Sequence, residues 1–247
     1  MFKIAHLYPK ELNLYGDTGN VYYVKYFLNK FGIKSGIYEI GIGDVLDDTY
    51  DFIFAGGGPD SLQNKIYQDF LTRKSFLIKH IHRGKPSLFI CGSYQLMGKY
   101  YLTADKKKIK GLNIFDIVTK SPPDQKHRLV GNSIITLNES VIKPNYNFDT
   151  RIIGFQNHNG RTYLNSKVKN IGKSKNLYLG NNDVDYGEGL LFKKTLCSYL
   201  HGPLLVKNPQ LAYYLLYDYL KNKKKVPMYN FFAEYISHKN ILLKNES

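Results

Sequence analysis

Ser87-Leu88-Phe89-Ile90-Cys91-Gly92-Ser93-Tyr94-Gln95-Leu96-Met97-Gly98 is the stretch whose reading decides the fold. Gly84 and Pro86 close a preceding helical pattern, and residues 87–90 form a short apolar strand. The strand runs straight into small residues, and a helical pattern follows over 94–101. Such a strand–turn–helix junction exposes the side chain at its apex, here Cys91, at the carboxyl edge of a parallel sheet. The positive end of the following helix favours a thiolate there.

Working outward, the first hundred residues alternate strand and helix. Residues 3–8 read as a strand ending at Pro9, Gly16-Asp17-Thr18-Gly19 as a turn, and 21–31 as a helix stopped by Gly32. Residues 36–42 and 52–55 read as further strands, the latter closing on Gly56-Gly57-Gly58, and 62–82 as helix. This alternation predicts a mostly parallel sheet covered by helices on both faces. The second half is different. Short β-rich pieces, 113–118, 129–137, 151–157, 177–180, 189–192 and 196–200, are separated by Gly, Asn and Pro, and helix returns at 209–221. The expectation is one α/β domain over residues 3–220, a flavodoxin-like sandwich with added antiparallel strands. A basic, partly helical C-terminal extension follows over 221–247, with helix expected over 228–236.

The chain has 247 residues, 43% hydrophobic and 22% charged. This composition excludes wholesale disorder. No run of ~18 apolar residues is present to span a membrane. The amino terminus lacks the pattern of a signal peptide, and with only Cys91 and Cys197 no disulfide framework arises, so the expected compartment is the cytoplasm. Thirty-five Lys and Arg against 20 Asp and Glu leave a net charge of +15. Nucleic acid, an anionic membrane surface, an acidic partner protein and plain solvated faces are the readings of that charge. No nucleic-acid motif accompanies the lysine runs, so no nucleic-acid partner is expected.

Three consecutive glycines after a buried strand leave backbone N–H groups open and permit positive φ. They suit an oxyanion or phosphate cradle, but neither a P-loop nor a dinucleotide fingerprint is present. A nucleophilic cysteine needs a base. Of seven histidines, His158 in Gln156-Asn157-His158-Asn159-Gly160 and His201 in Ser198-Tyr199-Leu200-His201-Gly202-Pro203 stand out at strand ends, and spacing leaves them nearly even. His6, His80, His82, His127 and His238 have no special setting, and Cys197 reads as core. No metal-ligand spacing appears. Asp47-Asp48 and Asp183-x-Asp185 read as turns.

Together, Cys91–Gly98, Gly56-Gly57-Gly58-Pro59-Asp60 and Tyr199-Leu200-His201-Gly202-Pro203 resemble class I glutamine amidotransferases of the cobyric-acid-synthase type. A narrower set resembles the glutaminase subunits of lipid II isoglutaminyl synthases. It comprises His6-Leu7-Tyr8, Leu14 to Asn20, Asn157-His158-x-Gly160-Arg161-Thr162, Gly180-Asn181-Asn182 and Leu200 to Leu205. The resemblance covers residues 4–220. It implies that Cys91 attacks the carboxamide of L-glutamine and that His201 moves the protons. It implies that Gly92 with Gly57 or Gly58 holds the oxyanion, and that Gln95 lies near the substrate. Arg128, in His127-Arg128-Leu129-Val130-Gly131, is expected on the substrate carboxylate, a contact that suits guanidinium geometry. No cofactor is implied on this chain. ATP and magnesium are expected on a Mur-ligase-like synthetase partner of the MurT type, in a heterodimer that amidates the D-glutamate of lipid II. The inner face of an anionic membrane is the expected place of work.

Three positions depart from the family pattern: Ser93 and Pro59 replace Gly and Gln, and Gln156 replaces Glu. A catalytically weakened scaffold and a glutaminase serving another acceptor are the alternatives. Pro203 occupies the place where a glutamate usually orients the base. Glu188 is a candidate across a Gly-rich turn. The expectation is that the partner supplies the missing carboxylate or reshapes the site, and that the isolated subunit is a poor glutaminase.

Overall fold

The computed structural model describes residues 1–123, 128–139, 149–165, 168–176, 178–223 and 232–246, and for residues 60–64, 232 and 245–246 the backbone alone. The alternating half builds β1 (Phe2–Leu7), α1 (Gly19–Lys30), β2 (Ser35–Ile40), β3 (Phe52–Ala55), α2 (Asp60–Thr72), α3 (Lys74–His82), β4 (Ser87–Ile90) and α4 (Gly92–Leu96). The second half adds β5 (Tyr100–Leu102), β6 (Lys108–Lys110), β7 (Ile117–Lys120), β8 (Leu129–Leu137), β9 (Arg151–His158) and β10 (Arg161–Leu164). Then come β11 (Gly172–Ser174), β12 (Gly187–Glu188), β13 (Leu190–Phe192), β14 (Thr195–Ser198), α5 (Leu204–Lys207), α6 (Pro209–Asn222) and α7 (Phe232–Glu246).

The central sheet has six strands in the order β13-β14-β4-β3-β1-β2. Every neighbouring pair is parallel except β13 with β14. Its inner strands β3, β4 and β14 are buried at every residue, as parallel strands covered on both faces must be. The antiparallel addition to this sheet is the single strand β13. The other β-rich pieces form two further four-stranded sheets, β10-β7-β5-β6 and β12-β11-β8-β9. The β8–β9 ladder of the latter brings the histidine-bearing strand back to the carboxyl edge of the central sheet, where Phe155 bridges His201.

Several elements differ from the sequence reading. The helix expected over 94–101 ends at Leu96, and Tyr100 opens a strand. Gly98 lies against Ile117 and Gly111 against the Gly98 carbonyl, so a Cβ on either would collide. That close backbone approach turns the chain away from helix. The long helix over 62–82 is two, separated at Arg73. Residues 178–180 are turn, and position 177 lies outside the described residues. The final helix spans Phe232–Glu246, so it includes the expected 232–236 and runs further, positions 228–231 lying outside the described residues, and Leu242 packs it against Ile134 and Ile153. Among the described residues no helix is long and apolar enough to cross a membrane.

Candidate active site

Cys91 sits between β4 and α4 with φ +53° and ψ −106°. A non-glycine residue rarely adopts such a conformation, which costs about 1–3 kcal/mol. The neighbours hold it there. The Cys91 N–H donates to Ser198 O at 2.8 Å, tying the turn to β14. The Ser93 hydroxyl donates to Ala55 O at 2.7 Å and lies 3.0 Å from Ile90 O, pinning α4 to β3 and β4. Ser93 has no positive φ, so replacing the family glycine carries no backbone strain. Pro59 occupies the position before α2 with extended backbone, where no ladder bond needs its missing N–H. Both departures are accommodated.

The three glycines matter for space rather than for left-handed backbone, since none of them has positive φ. A Cβ on Gly57 would stand 2.7 Å from His201 Cε1 and 3.0 Å from Cys91 Cβ. This position therefore lets the imidazole and the thiol share one side of the loop. Gly56 lies against Leu12 O, and Gly58 against Leu12 Cδ2 and Glu11 O. The Gly57 N–H donates to Asp17 Oδ2 at 3.1 Å, which removes Gly57 as an oxyanion donor in this conformation. Gly58 and Gly92 keep that role open, Gly92 being the first residue of α4, whose N–H has no partner within the helix.

His201, not His158, faces the cysteine side. Its Nδ1–H donates to Asp17 Oδ2 at 2.9 Å, and both side chains are fully buried. Its Nε2 is buried and without a hydrogen-bond partner. Burial alone pulls the imidazole pKa down, but the Asp17 carboxylate and the neighbouring Cys91 sulfur reverse this and raise it to about 10. An imidazole bonded to a buried aspartate on one side and facing a cysteine on the other is the arrangement that lets it exchange a proton with the thiol.

Asp17 corrects the expectation that the orienting carboxylate comes from another chain. The motif Leu14-Tyr15-Gly16-Asp17-Thr18-Gly19-Asn20 delivers it. Tyr15 and Gly16 are both left-handed, at φ +54° and +73°, and turn the chain inward. Gly19 is needed because a Cβ there would overlap Pro203. Asn20 Oδ1 accepts the Leu205 N–H at 2.8 Å, docking the His201-Gly202-Pro203 segment on α1. Glu188, the sequence candidate, is buried elsewhere. It accepts from Ser198 Oγ, the Tyr199 N–H and Gln156 Nε2 at 2.7, 2.9 and 2.7 Å. Burial raises its pKa to about 7 despite these bonds. The pairing also explains Gln156, since a second carboxylate there would abut Glu188.

The remaining expected residues lie around this pair. Gln95 is buried and donates to the Tyr199 hydroxyl at 3.2 Å, within a network that joins Tyr199 to Thr162 and Thr119. The structure thus places Gln95 behind the nucleophile rather than on open surface. His158 stacks on Tyr199 at 3.7 Å and hydrogen-bonds Gly160 O through Nδ1. Desolvation lowers its pKa to about 3, so it is a neutral packing group. Arg128 is exposed, with Nε on Asn157 Oδ1 at 2.9 Å and Nη2 on Asn157 O at 3.2 Å. His127 lies outside the described residues. Cys197 is fully buried in β14, where desolvation pushes its thiol pKa well up, as a core residue requires. Among the described residues no cluster of three His, Cys, Asp or Glu is placed to hold a metal ion.

The family described as the CobB/CobQ-like glutamine amidotransferase domain matches residues 3–209. The chain is 37% identical over 222 residues to the Streptococcus pneumoniae lipid II isoglutaminyl synthase (glutamine-hydrolyzing) subunit GatD, covering 89% of this chain and 81% of that protein. It is 38% identical over 214 residues to the Staphylococcus aureus subunit of the same name, covering 86% and 82%. In fold it is similar to the structure of PurLQS from Thermotoga maritima, with TM-score 0.60 and 15% identity, covering 90% of this chain and 99% of that one. A strained cysteine, a buried Asp–His pair beside it and a family match over most of the sequence converge: the chain belongs to the CobB/CobQ-like glutamine amidotransferases.

Proposed function

We propose that this chain is the glutaminase subunit of a lipid II isoglutaminyl synthase. Cys91 attacks the side-chain carbonyl of L-glutamine, and the oxyanion forms against the Gly92 and Gly58 N–H groups. His201, as imidazolium, protonates the departing amide nitrogen. The neutral imidazole then takes a proton from the water that hydrolyses the γ-glutamyl thioester. Asp17 fixes the tautomer and stabilises the imidazolium in both halves. Arg128 holds the substrate carboxylate.

Ammonia passes to a Mur-ligase-like, MurT-type partner, which binds ATP and magnesium and amidates the D-glutamate of the lipid II stem peptide. The names of two similar subunits, from Streptococcus pneumoniae and Staphylococcus aureus, support the pathway. The charge of +15 suits work beside an anionic membrane, where a lipid-linked acceptor resides. Equal partition onto neutral and anionic vesicles at low salt would count against that placement.

The observation that carries the reading is the His201–Asp17 hydrogen bond of 2.9 Å at full burial beside a cysteine with φ +53°. A scaffold without catalysis has no need of a buried charge pair next to a strained thiol. Glutamine hydrolysis by Cys91→Ala and Cys197→Ala variants tests it: the first loses activity by several orders of magnitude and the second keeps it. Comparable losses from both would remove Cys91 from the role of nucleophile.

A further inference from the structure

A continuous chain of contacts joins Arg128, the proposed carboxylate site, to the base. Arg128 grips Asn157 through two hydrogen bonds, to the side-chain and the main-chain oxygen. Asn157 Nδ2 donates to the Tyr15 hydroxyl. The Tyr15 ring lies edge-on to His201 with centroids 4.9 Å apart, and to Phe155 at 5.2 Å. Phe155 in turn exchanges both backbone hydrogen bonds with His201, at 2.8 and 3.2 Å. Tyr15 is 44% exposed, so packing alone does not hold it. Its left-handed backbone, φ +54° and ψ +26°, is set two residues before Asp17, on the same turn that carries the carboxylate to His201. An exposed tyrosine in an unfavourable conformation, tied at its hydroxyl and seated on the base, is more than a surface residue.

We propose that Tyr15 is a positioning residue that couples Arg128 to His201. Without substrate, Arg128 spends its hydrogen bonds on Asn157, and Asn157 holds the Tyr15 ring against the imidazole. An α-carboxylate arriving at Arg128 competes for the same guanidinium nitrogens. Asn157, released from the guanidinium, then gives its amide wholly to the Tyr15 hydroxyl and seats the ring on His201, which positions the base for Cys91. The base thereby responds to the carboxylate end of the substrate, and amides that lack a carboxylate gain no such response. The inference rests on the assignments of Arg128 and His201 proposed above.

The test uses two reagents for Cys91 on the full-length chain. 6-Diazo-5-oxo-L-norleucine carries the α-carboxylate and α-ammonium of glutamine, whereas iodoacetamide carries neither. Second-order rates of adduct formation are measured for wild type, Tyr15→Phe, Arg128→Ala and the double variant, with melting temperatures as the folding control. Tyr15→Phe keeps the ring and removes the tie. It should slow the carboxylate reagent about tenfold, in the range of coupling for residues on one contact chain, and leave iodoacetamide within about twofold. In the Arg128→Ala background, Tyr15→Phe should cause less than about a twofold further change. Equal slowing of both reagents, the same factor in both backgrounds, or no effect of Tyr15→Phe would overturn the coupling. If Arg128→Ala itself leaves the carboxylate reagent unaffected, the assignment of Arg128 fails, and the coupling fails with it. An Arg128 effect without a Tyr15 effect removes the coupling alone.

Discussion

Replacing Asp17 by Asn is the sharpest perturbation of the proposed machinery. Asp17 Oδ2 receives two N–H groups, from His201 at 2.9 Å and Gly57 at 3.1 Å, while its Oδ1 is buried with no partner. Asn has nearly the same shape, and its single oxygen can still accept both donors. What it lacks is the charge opposite the imidazolium. Breaking a fully buried charge pair by neutralising one member costs about 3–5 kcal/mol. At about 1.4 kcal/mol per decade, that is a loss of roughly 10²–10⁴ in kcat if the imidazolium is needed in the transition state. The Asn NH₂ would fall where Oδ1 now lies unpartnered, so a lower Tm accompanies the change, and rates must be compared well below it.

The pH profile separates the chemical effect from the structural one. His201 has a raised pKa of about 10, so the imidazolium proposed as the proton donor to the leaving nitrogen persists well into alkaline pH. Without the carboxylate its pKa falls toward the ordinary imidazole value of about 6.5, and the alkaline limb of kcat/KM moves down with it. The assay is glutamate release from L-glutamine between pH 5 and pH 10, for wild type and Asp17→Asn. An unchanged kcat with an unmoved alkaline limb would refute the role of Asp17 and return the search for an orienter to a second chain.

Other outcomes follow from the same structure. Gly57→Ala should abolish hydrolysis even where the fold survives, because the added methyl stands 2.7 Å from His201 Cε1; activity beside a circular dichroism spectrum checks this. Arg128→Ala should raise the KM for glutamine with little change in Tm, as expected for an exposed side chain whose hydrogen bonds among the described residues go to Asn157. Glu188 titrates at about 7 in the folded chain, above its unfolded value of about 4.5. Its contribution to stability is therefore full below the unfolded pKa and declines as pH rises through the folded one. Denaturant unfolding of wild type and Glu188→Gln should show wild type losing ground relative to the variant as pH rises from 4.5 to 7; a constant difference would contradict the shift.

The cysteine turn between β4 and α4 and the central sheet were legible because local signals carry them. A short apolar strand ending in Cys91-Gly92 admits few other readings, and the same holds for the fully buried strand before Gly56. The two extra sheets were not legible. Their strands β5, β6 and β11 have three residues each and are set by long-range pairing, which leaves little periodicity to read. Tyr100 ends a segment that reads as helix until the contact of Gly98 with Ile117 is seen. Asp17 was hidden for a related reason. It lies 184 residues before its histidine, and its partner is fixed only once α1 docks on Pro203 and Leu205. A signal was nonetheless present, in an acidic residue set between two glycines at the head of a helix whose Asn20 is itself buried. The triple glycine was read as freedom of backbone and turned out to be a demand for space.

The central claim is that Cys91 carries the γ-glutamyl group. Its most direct test is to quench L-glutamine turnover with acid, digest the chain and map the acyl adduct by mass spectrometry, with Cys91→Ala as the control. The account predicts one glutamyl thioester, on the peptide containing Cys91, absent from the variant and absent from the Cys197 peptide. An adduct on Cys197, or glutamine hydrolysis undiminished in Cys91→Ala, would contradict it.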